Sequence, residues 1–387
     1  VQVVSEKHEH KNPRVGIVGA GQLAMMMGEA APSVDVATIV LATSPQEPAV
    51  ATCDHAVFGE AKDFEALVEL ARDCDVVTFD HELVDLDQLK TLEDRGVVVR
   101  PSSSALRFAV DKSHQRQRFL EAGLPVPRFV VVHSSADAAL APFLATLETP
   151  PVLKASRGGY DGRGVLFPRD HDETLALVDQ LGAAGPVLVE ERLTLQSEVA
   201  QVLARAPDGS VALYPLVTTT QSRGMCVEVV FPAHVTVQQA TRARELAEQI
   251  SSLIDAVGIL AIEFFVVEGE LVVNEIALRP HNSGHWTIEG TRTSQFANHL
   301  LAVSGRPLGD ASPLYEHAVM VNVVGGDEPG SLERARALSD VAVHDYRKAW
   351  RPNRKLGHVT SVGDDARAVH VRAWEGARAY GTSTEEV

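Results

Sequence analysis

At 387 residues the chain exceeds an ordinary domain of roughly 100–200 residues, so two or three packed modules are expected, each with its own core. It carries 35 Lys and Arg against 52 Asp and Glu, a formal charge of −17, with 22% charged and 45% hydrophobic residues. That balance excludes a generally disordered chain and argues against a nonspecific nucleic-acid binder, while leaving room for a basic pocket that holds a phosphate ester. Cys53, Cys74 and Cys226 lack CxxC spacing, which disfavours a disulfide framework or thiolate zinc site and suits a reducing compartment. No secretory signature opens the sequence, and its most apolar run, ILAIEFFVV, is short and interrupted by Glu263. A soluble cytoplasmic protein with no membrane or nucleic-acid partner is expected.

Residues 1–13 read as a flexible tail. Val15 to Val18 is an apolar strand running into Gly19-Ala20-Gly21-Gln22 and a helix, LAMMMGEAA. ATIVLAT and DVVTF read as further strands, with FEALVELARD as an acidic helix between them, so 14–101 is expected to be a parallel, Rossmann-like α/β domain. SSSALRFAVDKSHQRQRFLEAG predicts one amphipathic helix ending near Gly123 and Pro125. PVLKAS, VLVEERL, SEVAQVLARA and SVALYPLV read as strands, DETLALVDQLG and RARELAEQISSLIDAVG as helices, and ILAIEFFVVEGELVVNEI as a hairpin about Glu268 to Glu270. These assign 102–309 to a central region and 310–387 to a small β-rich C-terminal domain, in which VMVNVVGG, AVHDYRKAW and GHVTSVG are the clearest elements.

A strand that delivers glycines to a helix start can bring backbone N–H groups to a phosphate, or can merely reverse the chain. No acid ends the second strand, which argues against a nicotinamide site. Gln22, the first exposed amide after the turn, suits either a ligand or a helix cap. Asp80 and Glu82 follow the VVTF strand, where parallel sheets commonly place ligand-binding groups, although solvent exposure is the plain alternative.

Lys112 and Lys154, followed by Ser156, Gly158, Gly159, Gly162 and Gly164, make a case for ATP phosphates under a mobile glycine loop, although the order is not that of a Walker A motif. Tyr160 and Asp161 within that loop can read a second substrate. Glu190 and Glu191 end an apolar strand suited to adenine, and Glu198 is placed to accept from ribose hydroxyls. Glu263 and Glu275 can converge across the hairpin, and a buried acid in so apolar a run calls for a partner; Mg²⁺ with ATP phosphates supplies one, a structural salt bridge the other. In ALRPHNSGHW, Arg279 suits a developing phosphate or carboxylate charge, His281 an oxyanion or proton, and Asn282 a small planar substrate.

Together GAGQLA, TFDHE, KASRGGYDGRG, VLVEERL, AIEFF and NEIALRPHNSGHWTIEGTRTSQFANHL closely resemble the N5-carboxyaminoimidazole ribonucleotide synthetase family of the ATP-grasp superfamily, in its biotin carboxylase-like branch. The resemblance runs from about Arg14 through HDYRKAWRPNRKLGHVT. It implies an α/β and α+β ATP-grasp architecture and ATP-dependent carboxylation of 5-aminoimidazole ribonucleotide by bicarbonate, through carboxyphosphate, in de novo purine synthesis. It further implies Mg²⁺, with Mn²⁺ as a substitute, on Glu263 and Glu275; ATP against Lys112, Lys154, Glu190, Glu191 and Glu198; and catalytic Arg279, His281 and Asn282. The ribonucleotide would meet Gln22, Glu82, Tyr160, Asp161 and the C-terminal bases Lys348, Arg354 and Lys355. A homodimer, and a functional link to a mutase acting next, belong to the same expectation. Asp80 in the acidic TxExE motif, Leu278 and Val165 depart from the usual residues, without removing a phosphate or metal contact. A formate-dependent glycinamide ribonucleotide transformylase and a noncatalytic nucleotide-binding module are the competing readings.

Overall fold

The computed structural model describes residues 12–158, 164–222, 224–326 and 329–382. Tyr160 and Asp161 lie outside the described residues. The chain opens with β1 (Arg14–Val18), α1 (Gln22–Ala30), β2 (Ala37–Ala42), β3 (His55–Phe58), α2 (Phe64–Arg72), β4 (Val76–Phe79) and α3 (Leu86–Asp94). The strands form one parallel sheet in the order β3-β2-β1-β4. β1, β2 and β4 are buried almost throughout, which is why they read as continuous apolar runs rather than alternating ones. Asp63 and Asp85 cap α2 and α3 by accepting backbone N–H groups.

The single helix expected after Ser102 is two, α4 (Ser103–Val110) and α5 (Lys112–Glu121). Asp111 breaks them with extended backbone, φ −121° and ψ 97°, and its carboxylate accepts from His114 N at 3.0 Å and Ser156 Oγ at 2.8 Å. Arg157 adds two further donations to it at 3.0 and 2.8 Å. The tertiary partners of Asp111 outweigh the helical pattern, and the break sets Lys112 at the first turn of α5. β5 (Phe129–Val132), α6 (Leu140–Leu144), β6 (Val152–Ala155), β7 (Val165–Leu166), α7 (His171–Gly182) and β8 (Val187–Glu190) follow, with the strands in an antiparallel sheet ordered β5-β8-β6-β7.

The largest sheet takes β9 (Ser197–Arg205), β10 (Val211–Leu213), β11 (Val217–Ser222), β12 (Met225–Phe231), then, after α8 (Val237–Ile254), β13 (Gly258–Val267) and β14 (Glu270–Ala277). SVALYPLV, expected as one strand, is split between β10 and β11 at Tyr214-Pro215, because proline has no N–H for a ladder. α9 (Thr287–Gly290) and α10 (Gln295–Val303) precede β15 (His317–Val324), α11 (Leu332–Arg336), β16 (Ala342–Asp345), β17 (Lys355–Gly363) and α12 (Ala366–Tyr380). The strand order is β14-β13-β9-β11-β12-β15-β17-β16, with β10 on β9. The C-terminal β-rich unit therefore continues the central sheet through the β12–β15 pairing while keeping its own apolar cluster, Val319, Val321 and Val323 against Ala373, Ala377 and Tyr380.

Buried contacts lock the units together. Phe296, Leu300 and Val303 of α10 join the methionines of α1 in one core. His299 links β4 to β13, with Nε2 2.8 Å from Thr78 Oγ1 and Nδ1 accepting Ile259 N–H at 3.0 Å. Burial pushes this imidazole down to about 3, so it stays neutral in that bridge. Among the described residues no helix is long and apolar enough to cross a membrane.

Candidate active site

The centre of the site is a strand pairing. Glu263 of β13 and Glu275 of β14 are direct cross-strand partners, so their carboxylates rise side by side from the sheet. The next pair is Phe264 with Val273, which leaves Asn274 as the extra residue of a β-bulge. Such a bulge re-aims side chains, and here two lysines reach consecutive residues. Lys154 Nζ donates to Asn274 Oδ1 at 3.3 Å, and Lys112 Nζ to Glu275 Oε2 at 3.1 Å.

Positive charge is unevenly shared among these acids. Burial, then Glu275 and Glu198, raise the Glu263 carboxyl above its ordinary range. At Glu275 burial is outweighed by Lys112 and Lys154, which hold it low. Glu198, from β9, is pushed up to about 7 by burial and by Glu275. A few ångströms away the balance is reversed. Glu190, at the end of β8, is 2% exposed and accepts from Arg116 Nε and, at 2.7 Å, from Lys154 Nζ. Burial would raise it, but Arg116 and Lys154 bring it to about 2. Arg116 also donates to the Asn274 carbonyl, tying the ion cluster to the bulge.

The RPHN segment leaves β14 across these acids. His281 Nε2 lies 3.5 Å from Glu263 Oε1. Its Nδ1 accepts Ser283 N–H at 3.3 Å and lies 2.9 Å from Ser283 Oγ. A backbone N–H can only donate, so in the neutral ring the proton sits on Nε2, toward Glu263. Arg279 Nε donates to Glu82 Oε2 at 3.1 Å, and Leu278 N–H to Glu82 Oε1 at 2.9 Å. Glu82 thus joins the parallel-sheet unit to the loop. Asn282 exchanges amide hydrogen bonds with Asn322 of β15, at 2.9 and 2.6 Å.

Lys348 Nζ donates to Gln22 Oε1, so the first helix and the C-terminal unit meet at this edge. Lys355 is close enough to Glu263 to lower its pKa, while Arg354 Nη1 donates to the Ala349 carbonyl at 3.1 Å. Glu191 accepts Arg128 N–H at 2.8 Å and Arg128 Nε at 2.6 Å, so its carboxylate, like that of Glu190, is engaged by its own chain. At the glycine turn Asp80 accepts from Gly21 N at 2.6 Å and Ala24 N at 3.0 Å. The start of α1 is therefore capped by a carboxylate, and a Cβ at Gly21 would lie 2.5 Å from Asp80 Oδ2.

Three family matches divide the chain: a ribonucleotide synthetase preATP-grasp domain over residues 13–110, an ATP-grasp domain over 117–296, and a phosphoribosylaminoimidazole carboxylase C-terminal domain over 318–372. An N5-carboxyaminoimidazole ribonucleotide synthase of Mycobacterium bovis is 43% identical over 371 residues, covering 93% of this chain and 86% of that one. The chain belongs to the N5-carboxyaminoimidazole ribonucleotide synthase family. The Corynebacterium ammoniagenes member is 39% identical, covering 94% of this chain and 91% of its own. Among solved structures, the synthetase of Thermus thermophilus superposes with TM-score 0.87 at 34% identity, covering 96% of this chain and 100% of that one. An Aspergillus clavatus synthase solved with ADP and 5-aminoimidazole ribonucleotide gives TM-score 0.85 at 29% identity, covering 95% and 98%.

Residues that motif reasoning passed over complete the site. Arg116 is one of three arginine or lysine residues in the short helix α5, with nothing local to single it out, yet it is 2% exposed. Asn274 and Gln295 lie within the long family-like segment that begins NEIALRPHN, but nothing in it marks either as a contact, and Asn322 carries no signal beyond a polar residue inside an apolar strand.

Proposed function

We propose that this chain binds ATP with Mg²⁺ and carboxylates 5-aminoimidazole ribonucleotide with bicarbonate, giving N5-carboxyaminoimidazole ribonucleotide, ADP and phosphate in purine biosynthesis. Bicarbonate attacks the γ-phosphorus, ADP leaves, and the resulting carboxyphosphate delivers its carboxyl group, through carbon dioxide, to the exocyclic amine. The observation that carries this reading is the Glu263–Glu275 pair with Lys112 on one side and His281 on the other.

The acid pair fits a hard divalent cation, because the Glu263 carboxyl is raised by burial and then by Glu275 and Glu198 even with Lys355 and Lys112 nearby. Glu263 and Glu275 would hold the ion, and phosphate oxygens and water would complete its ligands. Mg²⁺ supplies neutralisation of the phosphates and of the charge that grows during transfer, a role Mn²⁺ can also fill.

The chain's own residues orient and confine. Lys112 stands at the Glu275 edge, where it balances a phosphate. Lys154 spends one N–H on Glu190 and one on Asn274, leaving a third for a phosphate oxygen. Glu190 and Glu191 meet adenine through their backbone, since their carboxylates are engaged, and Glu198 accepts from ribose. His281 presents Nε2–H to the bicarbonate side of the acid pair, and Arg279, oriented by Glu82, stabilises the developing carboxyphosphate. Asn282 acts through its pairing with Asn322. Gln22, Lys348, Arg354 and Lys355, with Tyr160 and Asp161, receive the ribonucleotide. Residues 14–101 and 310–387 hold the ribonucleotide between them and 102–309 holds the nucleotide and metal, in a cytoplasmic homodimer whose product passes to a mutase.

The test is ADP formation with Mg²⁺ and 5-aminoimidazole ribonucleotide at varied ¹³C-bicarbonate, with the ribonucleotide product identified by mass spectrometry. Labelled carbon appearing in step with ADP is the expected result. Formylated glycinamide ribonucleotide, or nucleotide binding with no bicarbonate-dependent ADP, would overturn it.

A further inference from the structure

Gln295 opens α10 and is fully buried, at 0% relative exposure. Its Oε1 accepts His281 N–H at 2.9 Å, and its Nε2 donates to the His281 carbonyl at 2.7 Å. One planar amide therefore pairs with both backbone groups of a single residue, as a neighbouring strand would. The pairing fixes the amide's orientation, because a flipped amide would set oxygen against oxygen and N–H against N–H. The other N–H of Nε2 reaches His285 Nδ1 at 3.0 Å, so both donors are committed.

The frame around this amide is itself tied down. Gln295 N–H donates to Thr287 Oγ1 at 2.9 Å, and Thr287 Oγ1 donates to the Gly284 carbonyl at 2.6 Å. Gly284 passes flat against the amide: an added Cβ would lie 2.6 Å from Gln295 Cδ. The peptide of His281 is thus held by a side chain whose hydrogen bonds go to His281 and His285.

We propose that Gln295 is a positioning residue for carboxyl transfer: by clamping the His281 peptide it holds the imidazole at Glu263 while touching no substrate. The proposal rests on the carboxylation reading above. Its signature is selective. Nucleotide binding depends on the lysines and acids, so a loosened His281 leaves it intact, whereas carboxyphosphate held by a misplaced loop breaks down before the amine captures its carbon.

Gln295→Met keeps the side-chain length and removes every hydrogen bond of the amide, and Gly284→Ala displaces the amide without removing it. Molecules able to bind ADP are counted by titration, so turnover is expressed per folded site. For both variants turnover is expected to fall about tenfold to a hundredfold. KM for ATP should stay within about twofold, and the ratio of ADP formed to carboxylated product should rise above that of the unaltered protein. Full turnover with an unchanged ratio in Gln295→Met overturns the proposal. Failure of both variants to give ADP-binding protein also overturns it, because the residue would then serve folding alone. An unaltered protein that forms no carboxylated ribonucleotide sinks the carboxylation reading instead, which separates the two failures.

Discussion

Two charged clusters lie within one side chain's reach of each other and are built on opposite plans. Around Glu190, one buried carboxylate meets Arg116 and Lys154, and the charge is satisfied within the protein. Around Glu263, three acids from β9, β13 and β14 gather beside Lys112, Lys355 and His281, and two of them, Glu263 and Glu198, are still raised, by burial and by Glu275. The first cluster is finished by folding. The second keeps two acids raised after folding, which is the imbalance that the proposed cation and polyphosphate would relieve.

The contrast breaks most visibly at Glu190. Glu190→Gln strands Arg116 and Lys154 as buried cations, and urea unfolding should register a loss of about 3–5 kcal/mol. A change below about 1 kcal/mol would show that the cluster is not closed by its own ion pairs.

Glu263→Gln should do the reverse. Turnover is expected to fall about a hundredfold or more, while urea stability holds or rises slightly, because an acid short of charge is replaced by a neutral amide. Equal losses of activity and stability would make the acid pair structural.

A pH series sharpens the contrast. A carboxyl raised in the folded state binds its proton more tightly there than when unfolded, so its stabilising contribution is present below the unfolded value and lost as pH rises through the folded one. For Glu198 that window runs from an ordinary 4.5 up to about 7. Glu198→Gln should flatten the fall in stability across it, and saturating Mg²⁺-ATP should flatten it in the unaltered protein. Glu190 has the opposite sign: its contribution is present above the unfolded value and lost as pH falls toward about 2.

The smallest effect serves as the baseline for the other changes. Lys90 and Asp94 form an exposed pair one helical turn apart, and Lys90→Ala should move stability by less than about 0.5 kcal/mol.

Much of the scaffold was legible in the residues themselves. Apolar runs marked β1, β2 and β4 because strands buried on both faces have nothing polar to alternate with. Gly269 marked the hairpin because glycine readily takes the positive φ that its turn requires. The paired acids were legible as well, since a glutamate inside ILAIEFFVV demands a partner. Periodicity misread the helix at Asp111, because the capping partners Ser156 and Arg157 lie more than forty residues away in sequence. The small β-rich C-terminal unit was legible, whereas the extension of the central sheet into it was not, because pairing between β12 and β15 leaves no local signal.

What the sequence determined by itself was chemistry and approximate place: which residues carry charge, where glycines allow close approach, and which family the motifs resemble. Tertiary structure alone decided how those charges are divided. The register, with its bulge at Asn274, gives Lys112 to Glu275 and Lys154 to Asn274, and the buried amides of Gln295 and Asn322, together with Glu82, hold the loop that follows. The reason is physical: an acid's identity is local, but its proton affinity depends on burial and on neighbours that the chain brings from far away.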